Sequence, residues 1–144
     1  MSLIEHLGWQ VQRNKTEGPS QQITFTGILI DFVTMRLSFT PAKLSRYAAK
    51  LDTFLSLVSP KQATIGQFRS MIGRLSHISS ILTVGYIYLR RCWNCLPHNA
   101  PNATIFRPNN GALKDLDWWR SAINKTLQSS SSGLYCPTPK FFLS

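Results

Sequence analysis

Residues Gln22–Leu44 read QITFTGILIDFVTMRLSFTPAKL, and the fold class turns on how they are parsed. Ile23, Phe25, Leu29 and Val33 recur at even spacing, and Met35, Leu37 and Phe39 do so again after a turn near Thr34. Alternation of period two marks a strand with one buried face, so the spacing predicts an antiparallel hairpin rather than a helix. Gly27 breaks the first strand; with no side chain to pack, it marks a bulge or a place where another backbone comes close. At Thr40-Pro41 the signal changes. A threonine hydroxyl can accept from a free amide of a helix's first turn, and a proline at the first helical position gives up an N–H that had no partner. The chain is expected to pass from sheet to helix there.

Beyond this joint the apolar spacing becomes three and four. Leu44, Tyr47, Leu51, Phe54, Leu55 and Val58 predict a first helix, which Ser59-Pro60 stops. Thr64 and Gln67 have the form of a capping box, and Ile65, Phe68, Ile72, Leu75 and Leu82 continue an apolar stripe. This second helix runs antiparallel to the first if the SPKQA link between them is tight. Ile78–Leu89, ISSILTVGYIYL, reads as buried helix and falls well short of the ~20 residues a membrane helix needs. A third helix is expected over Val84–Cys95. Pro97, Pro101 and Pro108 then hold Pro97–Asn110 as loop, and Leu113, Leu116, Trp119 (or Trp118), Ile123 and Leu127 mark a fourth helix.

Upstream, Leu3–Val11 suits a short helix leading into a strand, and the turn formers Asn14, Gly18 and Pro19 put Lys15 in a loop. Ser129–Ser132 is expected to be flexible, and Leu134–Leu143 an extended tail or an orphaned strand. The fold class is α+β: a short antiparallel hairpin followed by a mostly helical bundle of three to four helices. Residues 1–40, 41–96, 97–128 and 129–144 form its successive segments.

The chain has 144 residues, 43% of them hydrophobic, which suffices for a real core. Lys and Arg number 16 against 6 Asp and Glu. The excess is concentrated: from Phe32 to Lys114 Asp52 is the only acid. Such a field attracts phosphate backbones, although a basic surface can also serve solubility alone. Met1–Gly8 contains Glu5 and His6 and lacks a signal's apolar core, so an intracellular site, nuclear or cytoplasmic, is expected, with no membrane partner. Three cysteines, an odd number, suggest no disulfide framework and agree with a reducing compartment, which leaves the N-x-[ST] matches at Asn14, Asn102 and Asn124 as chance.

On the second helix Arg69, Gly73 and His77 are spaced four apart on one face, with Ser70 and Arg74 beside them. A mid-helix glycine costs about 1 kcal/mol relative to alanine, so it calls for a reason. One reason is a nucleic-acid groove lying against the helix while Arg74 reaches a phosphate. The other is close packing by a neighbouring helix, with His77 an ordinary partly buried histidine.

The order of elements resembles the end of the palm and the thumb of a reverse transcriptase, in particular the polymerases of retroelements of the tyrosine-recombinase type. Leu7-Gly8-Trp9 through Asn14-Lys15-Thr16-Glu17 is similar to the family's LGF…N..K.E loop, whose lysine is held to assist pyrophosphate departure. Ile23–Asp31, ITFTGILID, resembles its FLGF.ID primer-grip strand, with Thr26 in place of the usual leucine. Thr64–His77, TIGQFRSMIGRLSH, resembles the thumb helix that follows the minor groove of the primer–template duplex; the family often has a flat side chain where His77 stands. Leu113–Ile123, LKDLDWWRSAI, is similar to the helix leading toward the RNase H domain. The likeness runs from about Leu7 to Leu127 and rests on the order and spacing of short motifs.

The resemblance implies a part that holds an RNA or DNA duplex. The expected contacts are Lys43, Arg46 and Lys50 on the first helix, Arg69, Gly73, Arg74 and His77 on the second, and Lys15, Gly27 and Arg36 from the segments before them. Nucleotide addition needs palm carboxylates that hold two metal ions. No Asp-Asp occurs in the chain, and its acids are scattered, with Asp115 and Asp117 read as acids at a solvated helix N-terminus. The chain is therefore expected to have no catalytic residue and no cofactor of its own, Mg2+ entering only if the missing palm completes the site. It derives, on this reading, from an RNA-directed DNA polymerase but is inactive alone, and the tail KFFLS stops about where an RNase H strand would bring its own aspartate. Its partners would be the duplex and the remaining palm and fingers polypeptide.

A rival reading is a domesticated or recruited basic helical module that binds a protein or structural RNA in a larger particle. Cys92, Cys95 and His98, with distant Cys136, raise a zinc site, but real sites present two compact ligand pairs. Trp93, Trp118 and Trp119 could stack on bases, although tryptophans at helical spacing more often serve a core.

Overall fold

The computed structural model describes residues 3–15 and 18–128, without the Lys15 side chain. The expectations for Thr16-Glu17, the serine run, the tail and Cys136 lie outside the described residues. Elements follow in the order α1 (Leu3–His6), a single 3-10 turn (Arg13–Lys15), β1 (Gln22–Phe25), β2 (Ile28–Asp31), β3 (Arg36–Phe39), α2 (Pro41–Val58), α3 (Ile65–Ser79), α4 (Gly85–Cys95) and α5 (Asn110–Gln128). The class is α+β, a three-stranded antiparallel sheet in the order β1-β2-β3 followed by four long helices. Among the described residues no strand lies between α1 and the 3-10 turn, which Lys15 ends.

Gly27 is part of a turn, not a bulge inside one long strand. Phe25 pairs with Ile28 across it, and Thr26 and Gly27 both have positive φ, 50° and 78°, as a two-residue type I′ turn demands. The turn reverses which residues share a face. Ile23 and Phe25 pair with Ile30 and Ile28, which pair in turn with Leu37 and Phe39, so these six lie on one side. Ile28 and Leu37 pack on the core and Phe39 is buried in it. Val33 and Met35, expected on the inner face, are exposed in the Phe32–Met35 turn. Asp31 organises that turn: its Oδ1 accepts from the amides of Val33 (2.9 Å) and Thr34 (3.0 Å), and Gln22 Nε2 donates to Oδ2 at 3.0 Å.

Pro41 begins α2 as expected, but Thr40 does not cap it through its side chain. The Thr40 amide donates to the Gly27 carbonyl at 3.1 Å and the hydroxyl points the same way, 3.5 Å from it, so Thr40 ties the joint back to the hairpin turn. At the other end Lys61 has φ 56° and closes α2, with the Lys61 amide donating to Val58 and the Gln62 amide to Leu57. The capping box at α3 is present in both halves: Gln67 N donates to Thr64 Oγ1 (3.3 Å) and Thr64 N to Gln67 Oε1 (3.0 Å). Tyr47 meets His77 while Phe54 stacks on Phe68, so α2 and α3 run antiparallel.

Ile78–Leu89 is not one buried helix. α3 ends at Ser79, Ser80–Val84 make a turn, and Tyr86 and Ile87 on α4 are exposed. α4 and α5 pack antiparallel, Gly85 against Trp119 at one end and Arg91 against Asp115 further along. A single buried cluster draws on β3, α2, α3, α4 and α5, with Leu51, Phe68, Ile72, Leu75, Leu116 and Trp119 among its closed members.

Asp115 is 2% exposed and grips Arg91 with both oxygens, Nε to Oδ2 and Nη2 to Oδ1 each at 2.9 Å. It is a buried partner, not a solvated acid near the helix N-terminus. Asp52 on α2 pairs with Arg120 on α5 at 2.7 Å.

Candidate nucleic-acid interface

The basic residues of α2 and α3 divide into a group that faces open space and a group tied up within the chain. Lys43, Arg46 and Lys50 sit at intervals of three and four, so one side of α2 presents all three. This side borders α3. Between the two helices runs a groove of about 270 Å³, floored by Phe54, Leu57 and Met71, with Lys50 on one wall and Ser70 and Arg74 on the other. Arg74 Nη1 donates to Ser70 Oγ at 2.6 Å, one turn back. A second hollow, about 330 Å³, is lined by Thr26, Gly27, Thr40, Ala42, Lys43 and Arg46. No carboxylate lines either concavity.

Lys43 serves both structure and surface. Its ammonium donates to the Thr26 carbonyl, and its stem fills the place a Cβ on Gly27 would occupy. It also lies 5.8 Å from the centre of the Tyr47 ring. Gly27 thus works through the turn and through Lys43, where glycine alone leaves room.

Gly73 is exposed, and a Cβ built there would meet nothing within 4 Å. Close packing by a neighbouring helix is therefore not the reason for it. Arg69 and His77, its companions at four residues on either side, behave differently. Arg69 Nη1 donates to Asn102 Oδ1 at 2.6 Å, and Nη2 donates to the carbonyls of Pro97 (3.0 Å) and His98 (3.4 Å). It clamps the α4–α5 loop onto α3, alongside the Thr64–Ile105 bridge and the bond from Gly66 N to Asn102 O. His77 packs against Phe39, ring centres 5.3 Å apart, and its Nδ1 lies 3.5 Å from Tyr47 Oη. Burial, then the nearby Lys43 charge, holds its pKa below 6.5. Of the face formed by Arg69, Gly73 and His77, the first and last are engaged within the fold, and Gly73 lies open beside Arg74.

Arg36 stands opposite Asp31 at the exposed end of β3, away from both concavities. The side chain of Lys15 lies outside the described part of the structure. Thr53, Gly66 and Gln67 complete the groove beside Ser70. Ser70 stands out in the sequence only as Arg74's neighbour, and Thr53 and Gln67 carry no sign of a surface role beyond their helical spacing.

Three of the described acids are committed to contacts within the fold. Asp31 is engaged by its turn, its pKa lowered chiefly by the Thr34 amide, Asp52 by Arg120 and Asp115 by Arg91. No three His, Cys, Asp or Glu side chains among the described residues come together as a metal-binding group. Cys92 is buried, its thiol pushed up to about 12 by burial and then by the Asp115 charge, and Cys95 is half-buried. None of the described helices is long and apolar enough to cross a membrane.

No family model, curated protein or solved structure matches the chain.

Proposed function

We propose that the chain holds the backbone of a nucleic-acid duplex, as the primer grip and thumb of a reverse transcriptase do, and does not extend a strand by itself. The observation that carries this reading is the continuous basic border of the two concavities: Lys43, Arg46 and Lys50 from α2 and Arg74 from α3, with no carboxylate among the lining residues. Cations lining a groove neutralise phosphates whatever the base sequence, so the contact carries affinity and register with little base readout. Gly73 adds room beside Arg74 for a sugar–phosphate strand to lie against the helix. The hairpin turn at Thr26-Gly27 opens on the same border through Lys43 and Arg46, and on this reading the end of a strand lies near the sheet. The short motifs shared with reverse transcriptases support the same assignment, and any Mg2+ chemistry would come from palm residues that this chain lacks.

The test is a salt titration of duplex affinity, with RNA–DNA hybrid, duplex DNA and duplex RNA in parallel. Four cations on phosphates give a log–log slope of about −3 to −4, and Lys50→Ala with Arg74→Ala makes it shallower by about 2. Absence of duplex binding at low salt, or a slope untouched by the double substitution, overturns the reading. No nucleotide incorporation is expected from the chain alone.

A further inference from the structure

α4 carries an aromatic face that the bundle does not use. Gly85, Leu89 and Cys92 are its buried residues. Tyr86 and Trp93 are seven apart, two helical turns, so they lie nearly in line on the outer side, about 10 Å from each other along the axis. They are 57% and 48% exposed. Arg90 stands between them on the same side, exposed, and no side-chain hydrogen bond or ion pair among the described residues engages it. Neither Trp118 nor Trp119 is available in this way: Trp118 stacks on Tyr88 at 3.8 Å and Trp119 is fully buried.

We infer that this face binds single-stranded nucleic acid, with unpaired bases stacking on Tyr86 and Trp93 and Arg90 on one of the phosphates between them. Flat rings at intervals along a basic surface are what an unpaired strand recognises, because every base has a π-face and every linkage a negative charge. A duplex must first unstack its bases, at a cost in free energy at every step, to use such rings. Charge decides against a second copy of this chain: α4 has no acid, and the chain is +10 overall, so like surfaces repel. The spacing of about 10 Å fits an extended strand that places alternate bases on the two rings. The site is separate from the α2–α3 groove, so its failure and the failure of the duplex reading are distinguishable.

The experiment titrates a short oligouridylate and an oligothymidylate into the full chain, following tryptophan fluorescence and affinity. Quenching by the oligonucleotide that disappears in Trp93→Phe is expected, since the other tryptophans remain. Tyr86→Ala and Trp93→Ala should each weaken single-strand affinity about tenfold and leave duplex affinity unchanged. Arg90→Ala should make the single-strand salt slope shallower by about 0.7. Tyr86→Leu with Trp93→Leu keeps apolar area and removes the flat rings, and circular dichroism confirms that the helices persist. Retained single-strand affinity in that double variant overturns the proposal, as does fluorescence that responds to anionic lipid vesicles and not to oligonucleotide.

Discussion

Arg74 donates to Ser70 Oγ at 2.6 Å within one turn of α3, and this bond holds the guanidinium over the groove that Lys50 borders from α2. A long cation that is already oriented loses less freedom when it meets a phosphate. Ser70→Ala releases that restraint and keeps the charge, so duplex affinity should fall about two- to threefold with the salt slope unchanged. Arg74→Ala removes the charge and should make the slope shallower by about 0.9. Fluorescence anisotropy across a salt series separates the two.

Arg69 is expected to behave as a structural residue. Its guanidinium satisfies Asn102 and two loop carbonyls, and their loss leaves polar groups of the α4–α5 loop without partners. Arg69→Ala should lower unfolding free energy by about 1–2 kcal/mol in a urea titration. Its duplex salt slope should match that of the unsubstituted chain. A slope reduced as far as in Arg74→Ala would return Arg69 to the contact surface.

Gly73 sets stability against binding. With nothing within 4 Å of a new Cβ, Gly73→Ala should raise stability by about 1 kcal/mol, the helix preference of alanine over glycine. A bulkier Gly73→Gln should fold as well and weaken duplex affinity by obstructing the helix surface. A gain of stability with no loss of affinity in the glutamine variant would mean that no strand approaches there.

Gly85→Ala has the opposite sign. A methyl at Gly85 would run into the Trp119 ring, and both lie in the sealed interface of α4 and α5. Overpacking of this kind costs about 1–3 kcal/mol, and a thermal melt should show the fall directly. Gly85→Ala combined with Trp119→Phe should be less damaged than Trp119→Phe and Gly85→Ala summed separately.

Stability should depend on pH through His77. Its folded pKa lies below 6.5, so below that value the unfolded chain takes up a proton more readily than the native one. The contribution is complete above pH 6.5 and is lost as pH falls toward and through the lowered folded value. Urea midpoints measured from pH 8 down to pH 5 should fall in this window, and His77→Gln should flatten that part of the profile.

The elements set by local chemistry were legible in the sequence: Pro41 starting α2, Ser59-Pro60 ending it, and the Thr64–Gln67 capping box. Each of these acts within a few residues. The hairpin was harder, because Ile28, Leu29 and Ile30 are all apolar and no alternation reveals which of them turns inward. The site suffers most from long-range pairing. The groups that capture Arg69 lie about thirty residues further along the chain, and Asp115 is buried by an arginine a whole helix away, so composition alone cannot tell a committed cation from an available one. Lys50 and Arg74 border a groove that no carboxylate lines, so no ion pair across it takes up either charge.

The two-residue turn at Thr26-Gly27 also governs how this region tolerates changes of length. One residue inserted into or deleted from β2 beside it would swing Leu29 toward the helices and turn Ile28 and Ile30 to water, undoing the contact with Phe39 and Leu37. A pair of residues added at the tip would leave the inner face unchanged. Variants of this protein that differ in length here should therefore survive in steps of two.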